Sequence, residues 1–114
     1  MARAIIPKEV IIYANEDDSE PFTDWLNALK DKQAVKRIQT RILRLEQGNY
    51  GDYKSLKDGV LELRFMFGSG YRVYFGEDGD RLVLLLLGGD KSSQKQDIEQ
   101  AKIYWKEYQK HAQI

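Results

Sequence analysis

The sequence predicts an α+β fold: a small antiparallel-rich sheet packed with a helical hairpin and a C-terminal helix, in the order β-α-α-β-β-β-α. Three observations carry this expectation. From Leu56 to Gln94 the chain reads as three antiparallel strands separated by glycine-bearing turns. Two apolar stripes at helical spacing precede that stretch, and a third follows it. With 114 residues and 42% hydrophobic content, the chain can bury one modest core, so residues 1–114 are expected to form a single domain.

Val10-Ile11-Ile12-Tyr13 is a β-branched and aromatic run that predicts a first strand. Ser19, Glu20 and Pro21 then signal a helix start, since proline suits the first turn and acids there suit the helix dipole. Phe22, Trp25, Leu26 and Leu29 recur at helical spacing, and Asp31 is placed to cap a second helix. In that helix Val35, Ile38, Ile42 and Leu45 form the apolar stripe, while Lys32, Lys36, Arg37, Arg41 and Arg44 occupy the rest of the surface. Gly48 to Asp52 ends it.

Leu61, Leu63, Phe65 and Phe67 alternate with Glu62, Arg64 and Met66, as in a half-buried strand. A tight turn at Gly68-Ser69-Gly70 would set Phe65 opposite Val73 and Arg64 opposite Tyr74, leaving Arg64, Arg72 and Tyr74 on one face. Asp78-Gly79 makes the next turn, and the unbroken apolar run Leu82 to Leu87 predicts a central strand covered on both sides. Ser93 and Gln96 form a capping-box pattern ahead of a last helix whose stripe is Ile98, Ala101, Trp105 and Tyr108.

The 18 basic and 18 acidic residues cancel, but they are unevenly distributed. Glu9 to Asp24 holds six acids and no base, whereas Lys30 to Arg72 holds ten bases and five acids. A dipolar molecule with an acidic end and a basic body follows. With no cysteine, neither disulfides nor thiolate metal sites hold the fold together, and a reducing cytoplasm is the expected compartment. The apolar runs near the N-terminus are too short for a signal segment, and none spans a membrane, so no membrane partner is expected.

Three runs carry a family resemblance: Leu61 to Phe65, Gly68 to Phe75, and Leu84 to Trp105. They resemble the RelE/ParE toxin superfamily, most closely its HigB-like branch of phage-derived addiction module killer proteins. The likeness spans Phe22 to Tyr108, and its most specific pieces are Gly70-Tyr71-Arg72 and Gly88-Gly89-Asp90-Lys91-Ser92. It implies a RelE-like fold and the toxin of a type II toxin–antitoxin system, a ribosome-dependent endoribonuclease (mRNA interferase) that inhibits translation. The implied partners are the ribosome, mRNA and a cognate helix-turn-helix antitoxin, in a hetero-oligomer; no cofactor and no metal is implied.

By the same resemblance, Arg64, Arg72 and Lys91 would embrace the scissile phosphate, with Lys57 as a further RNA contact. The family's terminal tyrosine and its histidine have no counterpart here. Cleavage by a neighbouring 2′-hydroxyl needs a base, a cationic clamp and an acid for the leaving oxygen. Arginine suits the clamp, because its charge is permanent and its fork matches two phosphate oxygens. Glu62, on the strand face of Arg64, is the candidate base, with Lys57 or Lys91 as acid and Tyr74 as a base-stacking platform. Lys36, Arg37, Arg41 and Arg44 are candidates for following RNA backbone. Two other functions remain open: a gyrase-directed ParE-like inhibitor, and a catalytically inactive antitoxin-binding module.

Overall fold

The computed structural model describes residues 7–80 and 82–112. Its order is β1 (Glu9–Ile12), α1 (Pro21–Ala28), α2 (Lys32–Glu46), β2 (Tyr53–Ser55), β3 (Val60–Arg64), β4 (Arg72–Asp78), β5 (Leu82–Gly89), a 3₁₀ turn (Lys91–Ser93) and α3 (Gln94–Ala112). The protein is α+β, with a mixed five-stranded sheet in the order β1-β5-β4-β3-β2. β1 runs parallel to β5, and the other three pairs are antiparallel.

The sequence expectation lacked β2. Its three residues are all exposed at the sheet edge, so no buried alternation announces them. β5 is interior but not central; that place belongs to β4. The two-faced burial expected of β5 is present. Val83 and Leu85 join one core with Phe22, Ile38 and Leu45, while Leu84 and Leu86 join a second with Ala101 and Trp105. Thus α1 and α2 cover one face of the sheet and α3 covers the other.

The two N-terminal helices pack on the sheet rather than mainly on one another, α1 approaching β5 and α2 approaching β1. Asp31 caps α2 as expected, accepting from the Gln33 and Ala34 amides at 3.0 and 3.2 Å. The last cap differs from expectation. Asp90 and Ser93 make the capping box, opening the 3₁₀ turn before α3.

Two tryptophans lie flat on strand glycines, one on each face. A Cβ at Gly76 would fall 2.1 Å from the Trp105 ring, and one at Gly88 would fall 2.0 Å from Trp25. Any side chain at these positions would lift a helix off the sheet. Among the described residues no helix is long and apolar enough to cross a membrane.

Candidate functional site

The β3–β4 hairpin ends in a wide loop. Arg64 pairs with Arg72, Leu63 with Val73 and Glu62 with Tyr74, a register two residues from the tight-turn expectation. The loop continues the ladder through Phe65, whose amide donates to the Tyr71 carbonyl at 3.1 Å, and Gly70 closes it with a bond to Phe67. A shift of two preserves side-chain direction, so Glu62, Arg64, Arg72 and Tyr74 still share one face.

That face is not open along its length, because α3 covers it. Glu62 and Tyr74 are fully buried and Arg72 is 7% exposed, whereas the Arg64 side chain keeps 41% exposure. Glu62 Oε1 lies 4.0 Å from Arg64 Nε and 3.9 Å from Arg72 Nε. Its other oxygen accepts from Gln94 Nε2 at 3.0 Å, which ties the start of α3 to the floor of the site. Arg72 also donates to the carbonyls of Gly70 and Tyr71, at 2.8 and 3.1 Å. The buried carboxylate lies between the two guanidinium groups, near enough for Coulombic attraction, but Oε1 and the two Nε atoms are too far apart to hydrogen-bond.

Lys91 reaches the same place from the far end of β5. Its amide donates to the Ser69 carbonyl at 3.3 Å, fixing the exit turn against the hairpin loop. Gly70 makes the approach possible: at φ +74°, a Cβ there would sit 3.3 Å from Lys91 Cβ and 3.5 Å from Arg72 Nη1. Arg64, Arg72 and Lys91 thereby line one concavity of about 470 Å³.

A second hollow of about 440 Å³ runs alongside it, lined by Lys36, Arg37, Arg41 and Arg44 of α2 together with Arg64. The two share Arg64 and the rim Phe65-Met66-Phe67, so the helix cations and the strand arginines form one basic track. Met66 stands on that rim at 88% exposure. Arg37 lies over the Phe67 ring at 4.8 Å, and Arg41 over Phe65 at 4.7 Å.

Four roles assigned from sequence change. Glu62 is sealed behind the guanidinium groups and bonded to Gln94, so its carboxylate is a buried anchor rather than a base within reach of an RNA hydroxyl. Tyr74 offers no ring face to a base; burial and the Glu62 carboxylate push its pKa up. Arg41 spends its guanidinium on the carbonyls of Arg64, Tyr50 and Asp52 and is chiefly structural. Lys57 sits in the β2–β3 turn, at the opposite end of β3 from Arg64, roughly 13 Å or more along the strand. Gln94 and Met66 went unnoticed in the sequence. A polar residue early in a helix and a methionine just beyond β3 carry no local mark of a site.

Fold and hollow together define a small α+β protein with a cationic recess beside a basic helix face. The chain belongs to the family of phage-derived Gp49-like proteins (DUF891), whose model matches residues 24–109. That family is of the toxin or addiction-module kind. The chain is also 52% identical over 82 residues to an uncharacterized protein of Haemophilus influenzae, covering 72% of this chain and 83% of that protein.

Proposed function

We propose that this protein is the toxin of a toxin–antitoxin pair and cleaves mRNA on the ribosome. The observation that carries the reading is the convergence of Arg64, Arg72 and Lys91 on one hollow continuous with the basic face of α2. Single-stranded RNA following that track meets α2 cations along its backbone and the hollow at one phosphodiester.

In this reading Arg64 and Lys91, the two accessible cations, contact the phosphate as the 2′-oxygen attacks and its proton passes to solvent water. Arg72 lies beneath them and contributes mainly through its field. Among the described side chains lining the hollow, only the lysine belongs to a class that serves as a proton donor, so Lys91 is the donor to the leaving 5′-oxygen. The antitoxin is expected to silence the protein by occupying the track or holding it off the ribosome.

One observation favours the inactive antitoxin-binding reading. Arg72 is occupied by Glu62 and two carbonyls, and among the described residues no carboxylate lines the hollow to take the 2′-hydroxyl proton. Toe-printing of ribosome-bound mRNA with purified protein separates the readings. New 3′ ends at ribosome-protected codons support cleavage. Gyrase-linked DNA breaks would point to the ParE-like activity, and neither product to a binding module.

A further inference from the structure

On another part of the molecule, the loop after β1 meets the last turns of α3 around a concavity of about 420 Å³ lined in part by Tyr13, Glu16, Glu107 and His111. One carboxylate oxygen from each glutamate and one imidazole nitrogen all lie within 4.8 Å of one another. Glu107 and His111, one helical turn apart, already pair at 3.6 Å. Tyr13 adds a separate sign of a ligand. It is only 8% exposed, yet its hydroxyl makes no hydrogen bond to another described residue. It lines the same concavity as Glu16, Glu107 and His111.

We propose that Glu16, Glu107 and His111 form a surface site for a divalent transition ion of the zinc class, clamping the β1–α1 loop to the end of α3. Two carboxylate oxygens and one imidazole nitrogen suit a borderline ion, whereas magnesium and calcium favour all-oxygen shells. Bonds of about 2.0–2.2 Å in tetrahedral geometry require ligand separations of roughly 3.4 Å, so these exposed side chains need to close by about an ångström. The Tyr13 hydroxyl then donates to a bound carboxylate and fixes its orientation. His111 is the sole histidine and cysteine is absent, so a nitrogen- or sulfur-seeking ion has one side chain to choose. The site owes nothing to the nuclease reading.

Calorimetric titration of the chelator-stripped, untagged full chain with zinc chloride, and separately with magnesium chloride, provides the test. The His111 ring resonances, which are single in this chain, are followed in parallel. The expected result is one zinc per chain, early movement of those resonances and no comparable response to magnesium. Glu16→Gln, Glu107→Gln and His111→Ala are each expected to weaken zinc binding at least about tenfold, while Glu99→Gln, an exposed change elsewhere on α3, leaves it unchanged. Circular dichroism confirms that each variant is folded. Absence of one-to-one binding, or binding that survives the three substitutions, overturns the proposal whatever the outcome of the mRNA assay.

Discussion

Arg64 and Arg72 face each other directly across the β3–β4 ladder, and the carboxylate of Glu62 lies about equally far from both. Like charges in direct cross-strand register destabilise a sheet. Keeping them there, above a buried acid, maintains two guanidinium groups at one end of the hairpin. The arrangement costs stability for a positive field where a phosphate would sit, a trade common at functional sites.

Removing the acid tests that account from the side of stability. Glu62→Gln keeps the shape and a partner for Gln94 but leaves the arginines uncompensated. The expected loss is about 1.5–3 kcal/mol by denaturant unfolding. Glu62→Ala, which also leaves a cavity, should lose about 3–5 kcal/mol. A change below about 0.5 kcal/mol in both would show that the carboxylate does not hold the pair.

The basic track should make ribosome binding sensitive to salt. Replacing Lys36 and Arg37 together with alanine is expected to flatten the slope of log K against log salt by about one to two. Both side chains are exposed, so thermal stability should hold. Arg41→Ala should behave differently and lower the melting temperature, because it frees three backbone carbonyls. Binding with an unchanged slope would remove α2 from the RNA path.

The cap at Asp90 gives a pH signature. Its carboxyl is held below the ordinary range mainly by the Ser92 hydroxyl, with help from the Ser92 amide. A depressed folded pKa means stabilisation that is present above the unfolded value and lost as pH falls through the folded one. Wild type should therefore exceed Asp90→Ala in stability at pH 7 by about 0.5–1 kcal/mol, the low end for an exposed cap. The gap should narrow below pH of about 4. A gap that widens on acidification would contradict the assignment.

Gly76 and Trp105 should couple. Gly76→Ala forces a methyl into the indole ring and is expected to cost about 3 kcal/mol or more. In a Trp105→Leu background the same change should cost clearly less, giving a favourable coupling in a double-mutant cycle. Additive losses would mean that the ring does not press on the strand.

Strand and helix existence was legible because the alternation beginning at Leu61 and the apolar stripes of α2 and α3 each match a period. β3 nonetheless ends at Arg64 rather than Phe67, and it is buried on both faces rather than one, since α3 covers the face of Glu62. The hairpin register was not legible. Gly68-Ser69-Gly70 advertises a tight turn, but the Phe65 amide pairs with Tyr71 and pushes the loop to five residues. Since the error was an even number, the arginines were placed on the right face with the wrong opposites. What failed more seriously was exposure. Glu62 and Tyr74 lie on the face of Arg64, and only the path of α3 across it decides which of them water reaches. That path is tertiary information, carried by Trp105 settling on Gly76 and by Gln94 reaching Glu62.

The most direct measurement is the single-turnover rate of cleavage of ribosome-bound mRNA by wild type, Arg64→Ala and Lys91→Ala. Lys91 is exposed and the Arg64 side chain keeps 41% exposure, so the variants should fold, which circular dichroism checks. The account predicts that wild type cleaves and that each substitution slows cleavage on the order of 10²- to 10³-fold. Absence of cleavage by the wild type, or losses of twofold or less in both variants, would contradict it.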